Sequence, residues 1–190
     1  PKSMLLIDDG ENNKLIITDS EKVVNVSTSE QFVAALANAK DGTIIKLAEG
    51  IYSPTANNQF VLRANNVMLV GSGIGKTVID AQKFDCSGQA GFLVSGDNVV
   101  VCNLTVKTTS DNGNVSALKV TKVSPEAGFV EKFQLVQVAI EGSKGHGLNL
   151  HTVKNSLINE VDIVSFGKVG ISLAEAVKVS ICLLYTSDAA

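Results

Sequence analysis

Two successive segments of the chain carry polar side chains at matching positions, and these groups can hydrogen-bond a sugar. Lys119 and Thr121 take the second and fourth positions of one segment, and Asn149 and His151 take the same positions of the next. Rungs of a parallel sheet lie about 4.8 Å apart, so stacked segments would gather the four side chains into one patch. We expect this patch to bind a glycan, and the alternative is an ordinary solvated face.

The other candidate groups predict no evident metal or cofactor. His146 stands between two glycines and is expected in a loop, and two isolated histidines do not make a metal site. The Asp-Asn-Gly run at 111–113 indicates a turn more than a calcium loop. Cys86 and Cys102 match no metal motif, and we expect both to be small buried residues.

A strand-like run that ends in Gly75-Lys76-Thr77 is similar to the start of a nucleotide-binding P-loop. The P-loop requires a glycine five residues before Gly75, where this chain has Val70. The residues that follow, from Val78 on, favour a strand over the helix that would receive a phosphate. We therefore expect no nucleotide site.

The elements that must position the polar patch form an internal repeat. Apolar residues take the first and third positions of segments 60–62, 92–94, 118–120, 148–150 and 171–173. A second set stays in phase with the first, at Leu69, Val101, Leu135, Ile158 and Ile181. Strand alternation puts the first and third positions on one face, so each column lines the inside of a stack. The pattern predicts an all-β parallel solenoid.

Corners and loops separate the predicted strands. The corner after the second strand holds small, amide or acidic side chains, namely Gly71, Asn103, Gln137 and Glu160. Gly and Asn tolerate a positive φ, and amides can bond the backbone or one another. Insertions fall at 107–116, 121–132 and 141–147, and loops of this kind on a rigid repeat often carry function.

A helix is predicted before the first coil. Ser27 and Glu30 have the spacing of a capping box, apolar residues from Phe32 to Ala39 recur at helical spacing, and Asp41-Gly42 ends the run. The helix would cover the open first coil, and Thr43–Leu47 would be the entry strand. Upstream, apolar runs within residues 1–24 predict a hairpin, either an extra cap or the end of a preceding domain.

Composition and the two chain ends limit which classes of binding partner the protein can have. The 190 residues are 45% hydrophobic and carry a net charge of −3, which lacks the basic footprint of a nucleic-acid binder. The longest apolar run reaches six residues, at 32–37, against about 20 for a membrane-spanning helix. Residues 182–190 resemble a translated sequencing adapter, which predicts a non-native tail on a truncated repeat. The last coil, ending at Ile181, would then be uncovered and self-associate.

Three stretches, together with the capping helix, carry a family resemblance. They are Gly42–Tyr52, Val67–Asp80 and Asn98–Val106. Residues 25–181 resemble the amino-terminal portion of pectin-lyase-like right-handed parallel β-helix proteins. The group includes pectate lyases, pectin methylesterases, polygalacturonases and a non-catalytic adhesive branch on bacterial surfaces. The resemblance implies a capping helix and entry strand at 25–59 and coils at 60–181.

The catalytic motifs of these enzymes are not matched here. The methylesterase motif Gly-x-Tyr-x-Glu reads Gly50 to Pro54, with Pro in place of Glu, and Asn114 stands where a glutamine would align. A lyase would use Arg or Lys beside Ca²⁺ held by several carboxylates, but Arg63 is the only arginine. The resemblance puts catalytic residues on later coils, so they remain unknown, and Ca²⁺ is an expectation for the full-length protein only.

Two functional hypotheses follow from the resemblance. The first is an extracellular carbohydrate-active enzyme, a lyase or glycoside hydrolase of uronate-containing glycans, in which the patch of Lys119, Thr121, Asn149 and His151 is part of the groove. The second is a non-catalytic module of a bacterial surface that binds or adheres to polysaccharide. Both predict a polysaccharide partner, and fold alone does not choose between them.

Overall fold

The computed structural model describes residues 2–7, 14–19, 22–54, 60–81 and 90–187. In chain order the elements are β1 (Lys2–Ile7), β2 (Lys14–Asp19), β3 (Val23–Val26), α1 (Ser29–Asn38), β4 (Ile44–Leu47), β5 (Gly50–Tyr52), β6 (Phe60–Leu62), β7 (Met68–Val70), β8 (Thr77–Asp80), β9 (Ala90–Val94), β10 (Val100–Lys107), β11 (Ser116–Val120), β12 (Val130–Glu131), β13 (Gln134–Ser143), β14 (Leu148–Phe166) and β15 (Ile171–Ser187). A short 3-10 turn lies at Pro125–Ala127.

Successive coils pair in parallel with the register that the repeat predicts. The first column stacks Phe60, Phe92, Leu118, Leu148 and Ile171 on consecutive rungs. The second column stacks Leu69, Val101, Leu135, Ile158 and Ile181. Their neighbours in the strand point outward because side chains alternate. The chain is an all-β parallel β-helix, as predicted.

Aromatic side chains close the amino-terminal end of the core. Phe32 of α1 is fully buried, and its ring lies 4.8 Å from that of Phe60 and 5.7 Å from that of Tyr52, centroid to centroid. The Tyr52 hydroxyl has one proton to donate and lies within hydrogen-bond distance of two backbone carbonyls, those of Ala48 at 2.9 Å and Val26 at 3.1 Å. The predicted helix therefore covers the first coils, and its buried face includes the predicted Phe32, Ala35 and Leu36.

The helix begins one residue later than the predicted capping box. Thr28 is the N-cap, in extended backbone, and its hydroxyl accepts from the Gln31 amide at 3.2 Å. The Gln31 side chain in turn accepts from the Ser27 amide at 2.8 Å. Thr28 thus caps the helix, Gln31 bonds to the amide of the residue before that cap, and Glu30 lies in the first turn, where its charge favours the helix dipole.

The sheet begins before the predicted entry strand. β3 pairs in parallel with β4, so Val23–Val26 forms a rung ahead of Ile44–Leu47. Thr43 precedes the strand and its hydroxyl accepts from the Lys40 amide at 3.0 Å. β1 and β2 form a separate antiparallel pair around the predicted turn.

Corner residues adopt left-handed backbone on successive coils. Asn103, Gln137 and Glu160 have φ of 60°, 51° and 54°, at the corner between the second and third strands. Asn103 donates to the Gly71 carbonyl at 3.2 Å, and the Gln137 amide donates to Glu160 at 2.9 Å. A second corner, not predicted from the sequence, has the same conformation at Asn66, Asn98, Lys132, Asn155 and Lys178.

The last strand continues beyond the predicted end of the repeat. β15 pairs with β14 through Ser187, so residues 182–187 extend the coil, and residues 188–190 lie outside the described part. Inward positions of this coil are open to solvent, with Leu173 49% exposed and Ile181 38% exposed. In the part of the chain that is described, no helix has the length and apolarity to cross a membrane.

Replacing Tyr52 by Phe should lower the free energy of unfolding by about 1 kcal/mol, because the hydrogen bond that the hydroxyl shares between the carbonyls of Val26 and Ala48 is lost. Burial raises the pKa of Tyr52 above its usual 10.0, against the opposing bond to Ala48. The stability that Tyr52 contributes is therefore complete below pH 10 and is lost as pH rises through the folded-state pKa. Denaturant unfolding from pH 8 to 11 tests both effects. Tyr185→Phe, at an exposed site, should change neither.

The exposed last coil should make this chain self-associate, since an uncovered apolar column lies beside a strand edge. Light scattering with size-exclusion chromatography should show species larger than 19.9 kDa. Leu173→Lys should shift the distribution toward monomer. Val169→Lys, in the preceding turn and 46% exposed, is the matched control. A monomer at high concentration would contradict the prediction.

Candidate functional site

The polar column is the set Lys119, Thr121, Asn149 and His151. Lys119 pairs directly with Asn149 across β11 and β14, on the outward face of rungs whose flanking residues are core. His151 lies two residues along β14 from Asn149, and Thr121 directly follows β11. The structure therefore brings Lys119 and Asn149 together on adjacent rungs, as the repeat predicts.

Asn149 and Lys119, the paired members of the column, each have a partner that orients them. Asn149 donates weakly to the Ser116 hydroxyl, at 3.5 Å, and Lys119 is half-buried with an interaction of its own. Ser116 was expected only as the end of an insertion, yet it pairs with Ala90 and begins β11. Ser116 is itself buried, so it orients Asn149 without adding to the exposed polar face.

A hydroxyl orients the imidazole at the other end of the column. Thr152 Oγ1 lies 3.0 Å from His151 Nδ1 and donates to Glu175 Oε2 at 3.0 Å. Thr152 has one hydroxyl proton and donates it to Glu175. A neutral His151 ring must therefore carry its proton on Nδ1 and donate it to the Thr152 oxygen. His151 is exposed, and this tautomer presents Nε2 to solvent as an acceptor. Sequence reasoning missed Thr152 and Glu175.

The loop that follows Thr121 is anchored to the preceding coil. Lys122 makes an ion pair with Asp97 at 2.7 Å, and the Val123 amide donates to the Ser95 hydroxyl at 2.9 Å. Asp97 also accepts from the Glu131 amide at 2.9 Å, at the far end of the loop. Residues 122–131 are therefore held at both ends beside the column.

His146 borders the same face on the side opposite to this loop. It lies in the turn that leads into β14, as predicted, and its Nδ1 is buried with no hydrogen-bond partner. Burial lowers the pKa of His146 and the nearby Lys168 ammonium lowers it further, while a bond to the Val169 backbone opposes both. The imidazole is thus held toward its neutral form.

The structure also shows the positions of the other residues considered in the sequence. The run at 111–113 is a turn, in which Asn112 accepts from the Asn114 amide at 2.9 Å. Cys102 is buried, as expected, and forms no disulfide, and Cys86 lies outside the described residues. Among described residues, no three His, Cys, Asp or Glu side chains gather as a metal site would require.

The segment similar to a P-loop is a strand, a turn and a strand. β7 leads through the turn at 74–76 into β8, and no helix starts there. The Thr77 hydroxyl is buried, accepts from the Ser72 amide at 2.8 Å and donates to the Ala48 carbonyl at 3.1 Å. This threonine supports the corner and is not available to a phosphate.

Comparison with known proteins identifies relatives over part of the chain. No family model matches. Pectinesterase 2 of Citrus sinensis is 32% identical over 100 residues, which is 50% of this chain and 19% of that protein. A putative pectinesterase/pectinesterase inhibitor of Arabidopsis thaliana is 30% identical over 91 residues, 45% of this chain and 19% of that protein. The matched stretch spans about a fifth of either curated relative.

Solved structures share the fold at low identity. A pectin methylesterase from Erwinia chrysanthemi superposes with a TM-score of 0.52 at 16% identity, covering 75% of this chain and 55% of that one. A PL6 family polysaccharide lyase from Pseudopedobacter saltans gives 0.55 at 13%, covering 83% and 36%. A protein of Geobacillus virus E2 gives 0.58 at 13%, covering 90% and 38%. These likenesses confirm the pectin-lyase-like parallel β-helix fold.

Lys168→Met should raise the pKa of His146, because a nearby positive charge is removed, and burial should keep it below 6.5. Proton NMR titration of the two histidine rings measures this, with His151→Gln assigning the signals. Since the folded pKa is depressed, stability from neutral His146 is complete above pH 6.5 and is lost as pH falls through the folded pKa. Lys46→Met, on a different face, is the control. A wild-type His146 pKa at or above 6.5 would contradict the interpretation.

Proposed function

We propose that this chain is part of an extracellular β-helix protein that engages a uronate-containing polysaccharide through the polar column. The observation that carries the proposal is the pairing of Lys119 with Asn149 on adjacent rungs, on a face bordered by the anchored loop at 122–131. The partial match to pectinesterases supports the choice of substrate class.

The chemistry of the column suits an acidic glycan. The Lys119 ammonium provides a positive charge for a carboxylate, and Asn149 and Thr121 provide amide and hydroxyl groups for sugar oxygens. His151 adds an acceptor at Nε2 when neutral. These groups sit on rungs of a rigid sheet, so little conformational entropy is lost when a chain of sugars binds.

The leading version of the proposal is a carbohydrate-active enzyme, a lyase or glycoside hydrolase, in which this column is one part of the substrate groove. Such an enzyme would take its acid, base or Ca²⁺ ligands from residues outside those described. The described carboxylates do not gather into the cluster that Ca²⁺ prefers, so no catalytic step is assigned to this ion.

The second candidate is a non-catalytic module of a bacterial surface that binds polysaccharide. The column itself favours it, because ammonium, amide, hydroxyl and imidazole groups hold a glycan by hydrogen bonds and charge alone. Fold does not separate the two candidates, since this architecture hosts more than one activity.

Calorimetric titration with oligogalacturonides should show binding that weakens as salt is raised, because the Lys119 contact is electrostatic. Lys119→Met and Asn149→Ala should each weaken binding about fivefold or more, or roughly 1 kcal/mol. Lys46→Met, an exposed outward lysine on β4, should leave binding unchanged. Thermal unfolding of each variant separates lost contacts from lost folding.

Two outcomes would reject the proposal: no binding by the folded chain, or equal weakening by Lys46→Met and Lys119→Met. A neutral oligosaccharide of the same length tests whether the carboxylates matter. The same samples with added Ca²⁺, followed by the ultraviolet absorbance of unsaturated uronate, test lyase activity. We expect binding without product from this chain.

A further inference from the structure

A carboxylate, a hydroxyl and an imidazole are linked by hydrogen bonds at the end of the polar column. This hydroxyl bridge is the set Glu175, Thr152 and His151, in which Thr152 Oγ1 donates to Glu175 Oε2 at 3.0 Å and lies 3.0 Å from His151 Nδ1. Because the single hydroxyl proton goes to the carboxylate, a neutral His151 carries its own proton on Nδ1. Its Nε2, on the exposed side, can then only accept a hydrogen bond.

The backbone of the hydroxyl bridge has an uncommon conformation. Thr152 and Glu175 have φ of 55° and 53°, and they lie at matching positions on adjacent rungs, one residue beyond the pair of His151 with Ala174. Among the described non-glycine residues with a positive φ, Thr152 is the only β-branched one. Left-handed backbone is costly for a β-branched side chain, and strain of this kind is concentrated at functional sites. The bridge is therefore a candidate functional element.

The neighbours of His151 define the ligand that would bridge the column. Asn149 and His151 are two residues apart on β14, which separates them by about 7 Å along the strand. Lys119 pairs with Asn149 on the preceding rung. The Lys119 ammonium attracts a carboxylate, whereas Nε2 of His151 needs a group that can donate a proton. A uronate ring carries both kinds of group, a carboxylate on one side and free hydroxyls on the other.

Acetylation of a sugar hydroxyl removes the proton that this site needs. A free hydroxyl can donate to Nε2, while an O-acetylated position has only acceptor oxygens and would face the Nε2 lone pair. An acceptor left opposite another acceptor disfavours the wrong ligand. We propose that Thr152 and Glu175 make His151 an obligate acceptor, so that the polar column selects uronates with free hydroxyls over O-acetylated ones. This inference rests on the proposed function and assigns Thr152 and Glu175 as positioning residues.

A histidine without the hydroxyl bridge would not discriminate in this way. Its neutral ring can place the proton on either nitrogen, and the tautomer with Nε2–H donates to an ester carbonyl as well as to a hydroxyl. Removing the Thr152 hydroxyl, or the Glu175 carboxylate that takes its proton, should therefore reduce selectivity more than it reduces binding. A purely structural role for these residues would lower the affinity for both ligands alike.

Calorimetric titration with two oligogalacturonides of equal length, one unmodified and one O-acetylated at positions 2 and 3, tests the selectivity. The parent chain should bind the unmodified ligand at least tenfold more tightly. Thr152→Val and Glu175→Ala should reduce this ratio to threefold or less, while Thr152→Ser, which keeps the hydroxyl, should stay within twofold of the parent ratio. Thr109→Val and Glu49→Ala, at exposed sites outside the column, should leave the ratio unchanged. Thermal unfolding confirms that each variant is folded.

Nitrogen-15 NMR of the histidine rings at pH 8 measures the tautomer without any ligand, with His151→Gln assigning the signals. The parent His151 should carry its proton on Nδ1, and Thr152→Val should shift the proton toward Nε2. A parent ring protonated on Nε2 would overturn the inference whichever ligand binds.

The titrations separate this inference from the proposed function. A tenfold ratio that persists in folded Thr152→Val and Glu175→Ala would show that the bulk of the acetyl groups alone sets the selectivity, and equal affinity of the parent for both ligands would show that there is none. Either result overturns the inference and leaves the proposed function standing. Failure of the folded parent to bind the unmodified ligand would reject the proposed function, and the selectivity with it.

Discussion

Parallel pairing between successive coils is the interaction on which the rest of this structure depends. No coil can bury its apolar face alone, and each one satisfies its backbone groups only against the coils beside it. The apolar columns from Phe60 to Ile171 and from Leu69 to Ile181 follow from this pairing. A shift of one residue in the register between two coils would turn the core side chains outward. The same register also fixes which polar side chains become neighbours.

Corners convert this stack into a closed coil with defined faces. Left-handed backbone at Asn103, Gln137 and Glu160 turns the chain within one residue, and side chains at successive corners bond to one another or to backbone. Non-glycine residues in this region carry a conformational cost, and the bonds between coils offset part of it. The longer loop at 122–131, which is held at both ends, borders the polar face.

The candidate site was predictable where it follows the repeat. Lys119 and Asn149 pair across adjacent rungs because their positions within the coil are the same. The partners that complete the site come from elsewhere. Ser116 belonged to a predicted insertion, and Asp97 anchors Lys122 across a loop whose length follows no period. Contacts of this kind depend on where the loops fold back, and no spacing in the sequence encodes that distance.

By itself, the sequence determined the parallel β-helix, the register of its core columns and the buried face of the capping helix, because strand and helix periods impose which residues must be covered. Tertiary structure alone decided that β3 forms a rung before β4 and that Thr28 and not Ser27 caps α1. These features arise from packing between elements distant in the chain, where local propensity is weak and burial determines the outcome.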